Sequence, residues 1–143
     1  MSVSQISVFI ESEPGHLVRV LDSFVEAGVN VRGYSASDTG DYGIVRFIVD
    51  DPERALAALE KSGEQNAACA KSEVLVLRLE DTPGELARVM GIIADCHINV
   101  TYSYSLISTY IVLSVNDVAA AERMLESEPV ELLGQDDLAH LVA

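Results

Sequence analysis

A chain of 143 residues, 49% of them hydrophobic, can hold two small units with packed cores and is too apolar to be disordered. Its formal net charge of −14 repels phosphate backbones and anionic lipid, so neither nucleic acid nor membrane is expected as a partner. The apolar runs are too short to span a bilayer, "MSVSQISVFIE" lacks the marks of a signal peptide, and the two cysteines build no metal knuckle or disulfide scaffold.

The first predicted element carries Ile6, Val8 and Ile10 in alternation, the pattern of a strand with one buried face. "ESEPGHLVRV" follows from Glu11, and Leu17, Val20, Leu21, Phe24 and Val25 then recur at the spacing of an amphipathic helix. Gly28 stands where a left-handed residue would end that helix. "VNV" (Val29–Val31) has strand character, and the turn residues of "SDTGDYG" (Ser37–Gly43) lead into the strand "IVRFIV" (Ile44–Val49). Asp51 and Pro52 predict an N-cap and a first-turn proline for a helix whose apolar stripe is Ala55, Leu56 and Leu59. A weaker strand is expected at Ala67–Ala70.

The chain then repeats itself. Leu75, Leu77 and Leu79 match the first strand, and "EDTPGELARV" from Glu80 matches the first Pro-Gly segment, with Pro83 in register with Pro14. Leu86, Val89, Met90, Ile93 and Ala94 give the second helix the same stripe. His97 takes the place of Gly28, where a left-handed backbone is expected. "INV" (Ile98–Val100), a shorter connection and "YIVLSV" (Tyr110–Val115) follow. Asp117 caps a helix that turns Ala121, Met124 and Leu125 inward, and Val130–Leu133 is the last strand.

Each half therefore reads strand, helix, strand, strand, helix, strand. The expected fold class is α+β, with two ferredoxin-like βαββαβ units in tandem, residues 1–71 and 72–143. Each would have a four-stranded antiparallel sheet with both helices on one face. No flexible linker joins the halves, so they are expected to pack together. Period two places Phe9, Ile44 and Ile48, and in the second half Val74, Val76, Tyr110 and Val112, on the face away from the helices. The two sheets of one chain could cover each other there, but side-by-side pairing into a longer sheet would leave that apolar face bare in a monomer. It is then expected to be buried sheet against sheet in a homodimer, with Arg46 and Arg78 paired to acidic groups at its rim.

A Pro-Gly turn entering a helix leaves backbone N–H groups at the positive end of the helix dipole, a ready carboxylate site that Gly15 or Gly84 lets a ligand approach. Asn30 and Asn99 are expected at the same end of the unit, where an amide can serve both poles of a zwitterion. His16 and Glu85 hold matching positions after the Pro-Gly, either at the mouth of such a site or as plain solvated first-turn side chains. Tyr102 and Tyr104 line a pocket or belong to the core. Three scattered histidines form no metal site, and no activated nucleophile, Gly-rich phosphate loop or dinucleotide fingerprint is present, so no catalytic residue, metal or cofactor is expected. An RNA-recognition fold shares the element order but needs a basic segment that "GIVRFIVD" does not supply.

The strand-ending acidic segment, the Pro-Gly, the apolar residue two places beyond and the Asn after the helix, in "ESEPGHLVRV…GVNV" and "EDTPGELARV…HINV", resemble the ACT domain, twice over nearly the whole chain. The resemblance implies a non-catalytic regulatory protein that binds an amino acid where ACT units meet. A cytoplasmic location, from the composition, and a homodimer, from the apolar sheet faces, are expected beside it, with a metabolic enzyme or regulator as a further possible partner. Its ligand residues would be Pro14, Gly15, His16, Leu17, Asn30 and Val31, with Thr82, Pro83, Gly84, Glu85, Leu86, Asn99 and Val100 in the second copy. Ser12 stands where the family has the aspartate kept here as Asp81, and His97 replaces a glycine, so the two sites are not expected to be equivalent. The alternative is a module that only dimerises or docks, without a ligand.

Overall fold

The computed structural model describes residues 2–11, 14–38, 42–62 and 68–140. In chain order they form β1 (Val3–Glu11), α1 (His16–Ala27), β2 (Val31–Asp38), β3 (Tyr42–Val49), α2 (Pro52–Lys61), β4 (Ala68–Arg78), α3 (Glu85–Asp95), β5 (Val100–Ser105), β6 (Tyr110–Val115), α4 (Val118–Leu125), β7 (Glu131–Leu133) and a closing 3-10 helix, Gln135–His140. Ser12, the middle of the Ser37–Gly43 turn and Ala67 lie outside the described residues. The chain divides into the units Ser4–Ser72 and Met1–Val3 with Glu73–Ala143.

In the unit Ser4–Ser72, β3 pairs antiparallel with β1 on one side and with β2 on the other. Alternation puts Ile6, Val8, Val45, Phe47 and Val49 on one face, where they pack with Val20 and Phe24 of α1 and Ala55 and Leu59 of α2. The Phe24 and Phe47 rings meet edge to face, 5.1 Å apart at 88°. Both helices thus seal the same face. The Asp51 carboxylate accepts from the Arg54 N–H at 3.1 Å, with Pro52 in the first turn.

In the other unit the strand order is β7-β4-β6-β5, all antiparallel. Leu75, Leu77, Ile111, Leu113 and Val115 pack against Val89 and Ile93 of α3 and Ala121 and Leu125 of α4. Asp117 caps α4 through the Ala120 N–H at 3.0 Å. Both β2 and β5 carry a register shift near their start, between Val31 and Gly33 and between Val100 and Tyr102. The extra residue reverses the faces that follow. Val100 joins the helix-side core, whereas Tyr102 and Tyr104 stand opposite Ser114 and Val112, on the other face.

Four expectations need correction. The weak strand at Ala67–Ala70 and the strong one at Leu75–Leu79 are not separate. They are parts of β4, an eleven-residue strand that crosses the division between the units. Val25 and Met124 do not face inward; they are 75% and 47% exposed, because each falls at the edge of a stripe too narrow to hold them. Leu86 and Ala94, at the two ends of α3, are exposed as well.

The fourth concerns the face away from the helices. Ile48, Val74, Val76 and Val112 are all at 0% exposure within the single chain, as is Leu138 of the closing 3-10 helix. These valines need no second copy to leave water. Phe9 stays 40% exposed, and Ile44 and Tyr110 are half-buried. Arg78 pairs with Glu131 of its own chain at 3.4 Å.

Candidate functional site

The two Pro-Gly turns have the same backbone. Gly15 and Gly84 cap their helices at φ 91° and 86°, left-handed values that favour glycine, and neither helix has a side-chain cap. The first intrahelical bonds run from Arg19 to Gly15 at 3.1 Å and from Arg88 to Gly84 at 2.9 Å. The N–H groups of Leu17 and Val18, and of Leu86 and Ala87, lie ahead of those bonds at the positive helix ends, with no partner among the described residues.

Around the first turn the fold leaves a cavity of about 460 Å³. The end of β1 gives Ile10 and Glu11, the turn gives Pro14 and Gly15, α1 gives Leu17 and Val18, and β2 and β3 close it with Ala36, Ser37, Gly43 and Val45. Its walls are mainly apolar, with one carboxylate and one hydroxyl. Of these lining residues, Pro14, Gly15 and Leu17 are ligand contacts expected from the sequence. The contributions of β2 and β3 came only with the strand register that brings Gly43 opposite Ile10 and Asp38.

The second turn is different. A smaller cavity of about 250 Å³ beside it is lined by Arg78, Glu80, Glu85, Arg88, Pro129, Val130 and Glu131, and is highly charged. Glu85, only 11% exposed at its side chain, accepts from Arg88 Nη2 at 2.6 Å and Nε at 3.0 Å, while Arg88 Nη1 donates to the Pro129 carbonyl at 2.8 Å. The Arg88 bonds hold the Glu85 carboxyl below the ordinary glutamate range, against a smaller opposing effect of burial. Thr82 and Pro83 are exposed, and the Thr82 carbonyl accepts from the Glu85 N–H at 3.3 Å.

His16 is neither at a mouth nor solvated. It is buried, with Nδ1 donating to the Glu11 carbonyl at 2.8 Å. Asn30 and Asn99 are exposed and sit just before β2 and β5. The expectation that they share an end of the unit with the glycines is wrong. Asn30 follows the C-terminus of α1, and the twelve residues of that helix span about 18 Å. Its N–H donates to Asp50 Oδ1 at 2.9 Å, at the opposite end of the sheet from Gly15. Asn99 likewise lines a separate hollow of about 170 Å³ with His97, Asn116, Asp117 and Met124. Val31 and Val100 pack at the edges of the two cores.

His97 has φ 58°, as its position after α3 requires, and Gly28 has φ 71°. Tyr102 and Tyr104 stack at 6.5 Å with planes 9° apart, half-buried and away from every cavity described above. Partial burial, then the Glu128 and Asp95 charges, push the Cys96 thiol up, away from reactive thiolate character. Among the described residues no cluster of histidine, cysteine and carboxylate is placed to hold a metal, and no helix is long and apolar enough to cross a membrane.

Two α+β units, each with a Pro-Gly turn that leaves helix N–H groups without a partner among the described residues, define a class of repeated ferredoxin-like modules. The chain matches the ACT domain pair family over residues 1–142 and belongs to that family. Among solved structures, it superposes on a protein of Bacteroides thetaiotaomicron with TM-score 0.89, at 27% identity over 99% of this chain and 98% of that one. The ligand-free regulatory subunit of aspartate kinase from Thermus thermophilus aligns with TM-score 0.61, at 18% identity over 86% of this chain and 92% of that one. The corresponding subunit from Thermus flavus gives 0.59, at 20% identity over 85% and 89%. The last two share the fold. No curated protein sequence matches the chain.

Proposed function

We propose that this ACT domain pair is a non-catalytic regulatory protein that senses a free amino acid, or a close carboxylate analogue, through its Pro-Gly turns. The observation that carries this reading is the 460 Å³ cavity at Pro14 and Gly15, into whose rim the unpaired N–H end of α1 is built. Unpaired N–H groups at a helix start favour a carboxylate, and apolar walls favour the body of a side chain. The fold shared with regulatory subunits of aspartate kinase supports a regulatory role.

Within a unit the Pro-Gly turn and the Asn lie at opposite ends. A ligand touching both kinds of residue must therefore lie between one unit and another, and we assign Asn30 and Asn99 that bridging role toward a neighbouring unit. The two four-stranded repeats, 1–71 and 72–143, would share β4, whose Ser72 hydroxyl accepts from the buried Gln5 amide at 3.3 Å. A homodimer in the cytoplasm, docked on a metabolic enzyme or regulator, completes the proposal. A thermal-shift screen of the purified chain against the common amino acids tests it, because a specific ligand raises the melting temperature by mass action. A flat response to all of them would favour the second reading, a docking module without a ligand.

A further inference from the structure

We infer that the Arg88 guanidinium and the Glu80 backbone N–H form a seat for a small monocarboxylate, which the chain keeps closed by filling it with its own Glu85 side chain. Glu85 is thus a tethered, autoinhibitory occupant that holds free carboxylates off the second turn. The inference rests on the sensing role proposed above only in narrowing that role to the first turn. Its test reads Arg88 alone, so it can fail while amino-acid sensing stands.

The seated carboxylate shows what the corner holds. Arg88 Nη2 donates to Glu85 at 2.6 Å and Nε at 3.0 Å, the planar two-pronged fit of a guanidinium to a carboxylate. The Glu80 backbone N–H donates to the same group. The Glu85 side chain is only 11% exposed, although it stands in the first turn of α3, where a glutamate ordinarily reaches into water. The guanidinium is aimed independently of Glu85. Its Nη1 donates to the Pro129 carbonyl at 2.8 Å, which ties α3 to the segment before β7 and leaves the other edge for a carboxylate. The helix-start N–H groups of Leu86 and Ala87 take no part in this seat among the described residues.

Glu85 and Arg88 share one helix turn, so the tether competes at an effective concentration of about millimolar or more. A free carboxylate below that level does not displace it. Truncation of Glu85 at Cβ would keep both donors and open the seat onto the cavity of about 250 Å³ beside it. The other carboxylates on that wall are placed otherwise. Glu131 pairs with Arg78 at 3.4 Å, and Glu80 acts on Arg88 through its charge, with no side-chain hydrogen bond to it. These two groups set the class of ligand. A monocarboxylate brings its one charge to Arg88, whereas a dicarboxylate would turn a second charge toward Glu80 and Glu131.

The test follows the Arg88 Nε–H resonance in proton–nitrogen NMR spectra of the full chain, titrated with sodium acetate against sodium chloride of equal ionic strength. In Glu85→Ala the resonance should move saturably with acetate, with half-saturation in the millimolar range. Malonate should bind at least about tenfold more weakly than acetate. The resonance should stay still in wild type, where the seat is filled, and in Glu85→Gln, whose amide takes up the same volume. Glu85→Ser is the parallel variant if Glu85→Ala does not unfold cooperatively. No saturable movement in either truncated variant, an equal response to chloride or in Glu85→Gln, or malonate binding as tightly as acetate would overturn the inference. Each of those results leaves amino-acid sensing at the first turn intact.

Discussion

Glu85 and Arg88 form a two-pronged ion pair, 2.6 and 3.0 Å, at the start of α3, whereas the matching His16 of α1 is buried against the Glu11 carbonyl. One position in a repeated motif therefore does two different jobs. In the second repeat it neutralises an arginine beside the turn; in the first it seals the turn from within and leaves the cavity in front of it.

The ion pair has a pH signature. Arg88 lowers the Glu85 pKa in the folded chain, so the pair adds stability above the ordinary glutamate pKa and loses it as pH falls through the lowered value. Urea midpoints of wild type and Glu85→Gln should therefore differ at neutral pH, and the difference should shrink as pH falls through the lowered Glu85 value. A gap that widens on acidification would contradict the assignment.

The two helix ends make a matched pair of tests. Gly28 and His97 both hold left-handed backbones, at φ 71° and 58°, and a side chain on Gly28 would meet nothing within 4 Å. Gly28→Ala should cost about 1 kcal/mol through backbone strain alone, and His97→Gly should gain up to about 1 kcal/mol. Chemical denaturation of both variants measures this.

The repeat, the two left-handed helix ends and the Asp51 and Asp117 caps were all legible in the sequence, because each is set by residues within a few places of one another. What failed depended on distance. Alternation marks Val74, Val76 and Val112 as an apolar face, but periodicity cannot say what excludes water from it, and all three stand at 0% exposure. Asn30 was misplaced for a simpler reason: a residue that follows a three-turn helix cannot lie beside the residue that precedes it. The cavity walls from Ala36 and Gly43 depended on strand register, which composition does not reveal.

Burial of that face changes the expected effect of a charge there. Val76→Asp would place an unpaired carboxylate at a position with 0% exposure and should destabilise the chain by at least about 3 kcal/mol. The loss should appear equally at low and high protein concentration. A variant that keeps its melting temperature and merely dissociates would mean that a second copy covers this face.

In the helix-side core, Phe47 is fully buried and meets Phe24 edge to face. Phe47→Ala should cost about 3–5 kcal/mol, read from urea unfolding. A loss below about 1 kcal/mol would show that the pair does not anchor the first unit.

The central claim is that the first Pro-Gly turn receives an amino-acid carboxylate on the N–H end of α1. The most direct measurement is amide chemical-shift mapping by NMR on the full chain, titrated with L-leucine. The account predicts saturable shifts at Gly15, Leu17 and Val18, with Leu86 and Ala87 of the second repeat unmoved. Shifts confined to the second turn, or none at either turn up to millimolar ligand, would contradict it.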